Sequence, residues 1–309
     1  MIPRDYWQRI IGKGLLAKDY WQRISGKGFL VDPFLQKSLL LGIIQGLAEF
    51  LPISSSGHLV LAQNLFGLTE PEVFFDLILH LGTLTAIIFF YRTEVWGLFS
   101  ELRCFKSPDR LRVYFKTRPI FRLGILIICG SIPTALIGFF FQDFLESLFS
   151  SLMAVGVSFS VTGLFLLITL LAPRTRYKTE LEFPIWLALA IGAIQGAAIA
   201  PGLSRSGLTI ALAIILGLER VVAARYSFLL SIPAIVGGLL ISLPKAQNSS
   251  FPLEALVLGF ASAAIIGYIA LQILGILLRK NWFPVFTPWC FMASLVTIWL
   301  SYFLPHNLP

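Results

Sequence analysis

Two short clusters in this chain combine residue types that can do chemistry on a phosphate. The first is Glu49, Ser54, Ser55, Ser56 and His58; the second is Ser204, Arg205, Ser206 and Thr209. An acid, a hydroxyl and an imidazole can between them supply a metal ligand, a nucleophile and a proton donor. Gln45 stands four residues before Glu49, so on a helix the two share one face. In the second cluster, Ser204-Arg205-Ser206-Gly207 follows Pro201-Gly202 and so should open a short helix. Free backbone N–H groups and the helix dipole favour an anion there. An Arg fork beside hydroxyls at such a nest is how a protein holds a phosphate.

Each of these residues also has a plainer reading. Ser and Gly in membrane helices allow close packing, which serves for Ser54 and Ser56 as well as function does. Arg205 and Glu49 can form a structural salt bridge, although that leaves the hydroxyls and His58 unexplained. A histidine such as His58 often only packs or hydrogen-bonds, but this one directly follows the serine run and Gly57. Asp76 and His80, also four apart, read as a local hydrogen-bonded pair or as outer partners, and stay outside the core set.

The elements that must position these residues are apolar almost throughout. Of 309 residues, 57% are hydrophobic and 13% charged, with a mean hydropathy of +0.83; soluble domains carry about 25% charged residues. That excludes a cytosolic enzyme, a nucleic-acid module and a disordered tail, and identifies an integral membrane protein. Six stretches are long enough to cross a bilayer, which takes about 20 residues: 73–91, 120–141, 152–172, 223–243, 253–278 and 285–304. Two more are interrupted. One runs 34–51, breaks at Pro52 and the serines, and resumes at 58–67; the other runs 185–200, breaks at Pro201-Gly202, and resumes at 208–218. Each half is short, so each region reads as a re-entrant helical hairpin, whose irregular backbone must be buried in protein or line a wet cavity.

The two interrupted regions repeat each other. An offset of 150 pairs Gly42, Ile44, Gln45, Gly46, Ala48, Ser54, Ser56 and Gly57 with identical residues, eight in sixteen positions without a gap, and Gly67 pairs with Gly217 beyond them. Three spans separate the copies, so the second should enter from the opposite face, giving an inverted-topology repeat with a site near the midplane. The expected fold is an all-α polytopic membrane protein with six spanning helices and two re-entrant hairpins. Its parts are an extension at 1–33, a first repeat at 34–172 and a second at 173–309.

The net charge of +8 is concentrated. Residues 1–37 hold seven Lys/Arg against three acids, and residues 92–122 hold eight against three. At the ends of apolar spans such charge is topology signal and headgroup contact. The basic 92–122 stretch should face the cytoplasm, with 173–182, 219–225 and Arg279-Lys280 on the same side and 142–150, 244–252 and the C-terminus opposite. Residues 1–33 would then lie outside despite six basic residues. They contain a tandem duplication, Asp5–Ile10 against Asp19–Ile24, with a period of fourteen. An interfacial helix or an extension without a chemical role fits them equally. Cys104, Cys129 and Cys290 are scattered and suggest neither a disulfide framework nor a zinc site.

Gly46-Leu47-Ala48-Glu49-Phe50-Leu51-Pro52-Ile53-Ser54-Ser55-Ser56-Gly57-His58 resembles the first signature of the undecaprenyl-diphosphate phosphatases of the bacitracin-resistance type. Pro201-Gly202-Leu203-Ser204-Arg205-Ser206-Gly207-Leu208-Thr209 resembles their second. The likeness runs from about residue 34 to the end. It implies removal of the terminal phosphate of undecaprenyl diphosphate, which recycles the lipid carrier of peptidoglycan precursors. It also implies a divalent cation (Mg²⁺ or Ca²⁺) and a site open to the outer side of the bacterial plasma membrane. By the same resemblance, Glu49 is linked to metal binding or activation, with Gln45 as a further candidate ligand. Ser55 and His58 match the residues assigned to nucleophilic and proton-transfer steps. Ser204, Arg205, Ser206 and Thr209, with Ser54, match the diphosphate-binding group. Which residue attacks phosphorus is left open. The family usually has a glutamate where this chain has Gln45. The expected partners are a polyprenyl diphosphate, membrane lipids and a second copy in a homodimer, and no nucleic acid. The competing reading, from the repeat and its midplane breaks, is a polyprenyl-phosphate transporter or flippase without hydrolase activity.

Overall fold

A computed structural model describes residues 33–66, 73–104, 111–243 and 251–302. The duplicated extension, apart from Pro33, lies outside the described residues. The described chain is helical: α1 Pro33–Phe50, α2 Ser55–Leu65, α3 Val73–Phe90, α4 Arg92–Cys104, α5 Leu111–Thr117, α6 Pro119–Phe140, α7 Gln142–Ser147, α8 Leu152–Ile168, α9 Ile185–Ala197, α10 Arg205–Ile215, α11 Arg220–Ser242, α12 Leu253–Arg279 and α13 Thr287–Ser301. Six segments are long and apolar enough to cross a membrane: α3, α6, α8 with its 3₁₀ extension to Leu171, α11, α12, and α13 with the 3₁₀ turn from Phe283. Only 28 to 44% of each is buried. Large apolar side chains on them, Phe139, Leu171 and Leu295 among these, are left exposed, as lipid would require. The basic 92–122 stretch, read from sequence as a loop, holds the helices α4 and α5.

Both interrupted regions form two helices around a break. The second helices begin at Ser55 and Arg205, three residues earlier than hydropathy placed them, because a serine caps each. Ser204 Oγ accepts the Gly207 N–H at 3.1 Å, and Ser54 Oγ accepts the Gly57 N–H at 3.4 Å. Such caps satisfy N–H groups that the first helical turn leaves free. The two turns differ in one respect. The second places its left-handed residue at Gly202 (φ +84°), whereas the first carries Pro52 at the matching position, and proline is locked near φ −65°. The left-handed step falls instead on Ser54 (φ 70°), a strained conformation for a residue with a Cβ.

Close helix crossings bring the breaks together. The most extensive pairs are α1 with α12, α3 with α12, α6 with α9, and α8 with α13. Gly192 meets Gly130 so closely that a Cβ on Gly192 would stand 1.9 Å from the Gly130 carbonyl oxygen; Gly42 meets Gly259 and Ser262 in the same way. Small residues at such crossings let backbones approach. At the centre Ser54 Oγ donates to the Leu203 carbonyl at 3.3 Å, and a Cβ on Gly57 would lie 3.1 Å from the Gly202 Cα. The breaks touch.

The ends of the interrupted regions are tied as well. Arg176 and Tyr177, which precede α9, donate their N–H groups to the carbonyl of Gly217, which follows α10. Phe251, just before α12, stacks on Phe75 at the start of α3 and meets Phe34 at the start of α1 edge-on. Arg225 on α11 bonds Glu180 at 2.8 Å and lies 3.9 Å from Glu94 on α4, and Arg122 donates to the Phe183 carbonyl. The basic stretch, the 173–184 segment and the start of α11 thus share one end of the bundle.

Candidate active site

Glu49 is the centre of the site. It occupies the last turn of α1 with 8% of its surface exposed, an arrangement that a carboxylate tolerates only when paired and hydrogen-bonded. Gln45, one turn earlier, donates Nε2–H to Oε2 at 3.2 Å. Ser55, the first residue of α2, donates its hydroxyl to the same Oε2 at 2.6 Å. Arg205, the first residue of α10, pairs through Nη2 with Oε1. Ser55 and Arg205 are matched by the offset of 150, so equivalent positions of the two copies converge on a single carboxylate. The Arg205 Nη1 atom is buried without a partner.

Glu49, Ser55 and Arg205, with Gln45 buried behind Glu49, line a cavity of about 780 Å³. Its polar end is made by Glu49, Ser55, Ser56, Gln63, Asp76, His80, Ser204 and Arg205. Its other end runs between α6 and α11 past Ala135, Gly138, Phe139, Ile235, Gly237 and Ile241. Phe139 and Ile241 are exposed on the lipid-facing surface, and nothing stands within 4 Å of where a Cβ on Gly237 or Gly238 would point. Ser131, Thr134, Gln142, Gln195 and Ser242 line the cavity too, so the gallery between α6 and α11 is mostly rather than wholly apolar; a cavity that joins charged groups to such a gallery fits an amphiphile.

The residues singled out from sequence divide into two sets. Glu49, Ser55, Ser204 and Arg205 meet at the cavity. Ser54, Ser206 and Thr209 are buried just behind it. Ser54 caps α2 and bridges the breaks, and Ser206 Oγ lies 3.3 Å from Ser204 Oγ. Thr209 bonds the Arg205 carbonyl at 2.7 Å and Ser227 Oγ at 2.5 Å, locking the turn that carries Arg205. His58 points elsewhere. Its ring packs against Phe159 and Trp289, Nδ1 lies 2.8 Å from the Ser54 carbonyl, and Nε2 accepts the Trp289 indole N–H at 3.1 Å.

The structure adds Gln63, Asp76 and His80 to the cavity wall. Asp76 and His80 do form a local pair, through His80 Nδ1 and the Asp76 carbonyl at 2.8 Å, and Gln63 Nε2 donates to Asp76 Oδ1 at 2.7 Å. Helix phase was the signal for them, since residues 76 and 80 share the face of α3 turned to Glu49.

The donor set does not suit a divalent cation held by the protein alone. Such a cation needs several free oxygen ligands, and both Glu49 oxygens are already engaged by Arg205, Ser55 and Gln45. Among the described residues no three His, Cys, Asp or Glu side chains come together as a metal site.

A family model described as bacitracin resistance protein BacA matches residues 38–296. The undecaprenyl-diphosphatase of Desulforapulum autotrophicum is 43% identical over 270 residues, which cover 85% of this chain and 97% of that protein. That of Carboxydothermus hydrogenoformans is 40% identical over 272 residues (85% and 96%), and that of Methanosphaera stadtmanae 38% over 273 (85% and 97%).

Proposed function

The chain belongs to the BacA family of bacitracin resistance proteins, and on that premise we propose that it hydrolyses undecaprenyl diphosphate at the Glu49–Ser55–Arg205 cluster, releasing undecaprenyl phosphate and phosphate. It is a multi-pass membrane hydrolase, an undecaprenyl-diphosphatase. One observation carries the assignment of the site. Arg205 is fixed on one side by Glu49 while its Nη1 has no partner, beside a serine already hydrogen-bonded to that carboxylate.

In the proposed reaction the diphosphate displaces part of the Arg205–Glu49 contact, and the guanidinium fork grips its terminal phosphate. Ser55 Oγ attacks the terminal phosphorus as its proton passes to Glu49 Oε2. The bond from that phosphorus to the bridging oxygen breaks, and undecaprenyl phosphate departs. The prenyl chain lies in the mostly apolar gallery between α6 and α11. Ser204 and Ser206 order the α10 N-terminus, whose dipole favours the phosphate. The divalent cation of the family is proposed to arrive as a counter-ion on the diphosphate, because the protein's own donors are occupied. Purified protein in detergent should release phosphate from undecaprenyl diphosphate; its absence at every cation concentration would defeat this reading and favour a carrier.

The same reading includes two re-entrant hairpins in an inverted repeat, with the site opening to the outer side of the plasma membrane. The ties between the segments flanking α9 and α10 support one hairpin, and the meeting of Phe34, Phe75 and Phe251 supports the other. Each hairpin returns to the end it left, and the two ends are opposite. Single cysteines in a cysteine-free background should label from outside at residues 142–150 and only from inside at residues 173–182. Labelling of both from one side would remove the inverted repeat.

A further inference from the structure

The proposed reaction leaves a phosphate on Ser55, and its removal needs a base for water that the Glu49 cluster does not provide. Glu49 enters that second half-reaction holding the Ser55 proton. His58 has both ring nitrogens engaged on the far side of α2. We propose that His80 is the catalytic residue that activates water at this site, an inference resting on the phosphatase reading above.

The geometry fixes the tautomer of the neutral ring. A carbonyl oxygen only accepts, so the 2.8 Å contact with the Asp76 carbonyl requires the hydrogen on His80 Nδ1. In the neutral ring the lone pair is then on Nε2, which has no partner among the described residues, and the ring lines the cavity that contains Ser55 and Glu49. A tautomer set by a backbone carbonyl with the other nitrogen turned to the reaction space is the arrangement a general base needs. The ionisable groups that share this cavity with it are Glu49 on α1, Asp76 on its own helix and Arg205 on α10. Asp76, one turn away and held by Gln63, offsets the charge that the ring gains.

The step balances. Water oxygen forms a bond to the phosphorus of phospho-Ser55, and the phosphorus–Oγ bond breaks. One water proton moves to His80 Nε2, and Ser55 Oγ recovers its own proton from Glu49. Phosphate leaves, and the imidazolium returns its proton to solvent or to the departing phosphate.

Rapid-quench measurements with a polyprenyl diphosphate carrying ³²P in its terminal phosphate test this in native protein, His80→Gln, His80→Ala and His58→Gln. Glutamine keeps an N–H for the Asp76 carbonyl but is no base, so it separates loss of the base from loss of the fold. His80→Gln should lower turnover by about 10²–10⁴-fold. It should still release close to one equivalent of prenyl phosphate per protein, with ³²P retained on Ser55 after acid quench. Free imidazole should restore part of the turnover of His80→Ala, and His58→Gln should trap no label. Turnover of His80→Gln and His80→Ala within about twofold of native would overturn the proposal, as would a large loss with no trapped label and no imidazole rescue. A native protein that releases no ³²P would instead remove the phosphatase reading itself.

Discussion

Arg205→Ala should cut phosphate release from undecaprenyl diphosphate by at least about 10²–10³-fold, the usual effect of deleting a fixed electrostatic partner of the transition state. The residue does two things at once. Its Nη2 neutralises Glu49, and in the proposed reaction its unpartnered Nη1 is the N–H left for a phosphate oxygen. Alanine removes both and leaves a carboxylate buried without its counter-charge, which destabilises a protein by about 3–5 kcal/mol. Melting temperature and rate should therefore fall together. Arg205→Lys should recover much of the stability and little of the rate, because an ammonium restores the charge without the planar fork. Initial rates at saturating substrate, beside thermal unfolding of the same preparations, make the comparison. Native rates in Arg205→Ala would remove the residue from the site.

Glu49→Gln should be nearly as damaging, with a loss of about 10²–10⁴-fold. The amide keeps the shape of the side chain but cannot take the Ser55 proton, and it leaves Arg205 without its partner. The neighbouring substitution gives the informative contrast. Gln45 donates an N–H to Glu49 Oε2, so Gln45→Glu would set a second carboxylate where that donor was. Two acids this close do not both ionise without a proton or a cation between them. In a metal titration at fixed substrate, Gln45→Glu should reach half-maximal rate at a lower divalent cation concentration than the native protein. It should also gain melting temperature on cation addition, and the native protein should gain little. An unmoved titration curve and melting temperature would make Gln45 a purely structural amide.

The spans were legible in the sequence because length and hydropathy are all that a bilayer demands of them; their observed ends differ from the expected ones by three residues at most. Pro52, Pro201 and Gly202 marked the breaks equally well. The helix starts were less legible, since Ser54 and Ser204 cap from outside the apolar pattern, and this error carried into the site. With α2 beginning at Ser55, residues 55, 56, 59, 60 and 63 face the cavity. At about 100° per residue His58 falls roughly 130° from the middle of that face. Proximity in sequence had joined His58 to the serines, and helix phase separates them. Arg205 and Glu49 were each recognisable as a buried charge, and the salt bridge that the sequence allowed between them is present. That Ser55, across the first break, shares the same carboxylate was not legible, and the pairing itself depends on two breaks meeting in space. No local pattern encodes that meeting.

The ion pair joins residues 156 apart in the chain, and this imposes an order on biogenesis. At a translation rate of about 5–20 residues per second, Glu49 is synthesised roughly 8–30 s before its cation exists. For that interval the first interrupted region carries an acid without its counter-charge, which hydrocarbon accepts only at a cost. In the proposed reaction the nascent first half, which lacks Arg205, cannot act on the lipid around it. By the same proposal, competence arrives only when the second half docks against the first. On that proposal a chain stopped between the halves is left silent, with Glu49 lacking its counter-charge.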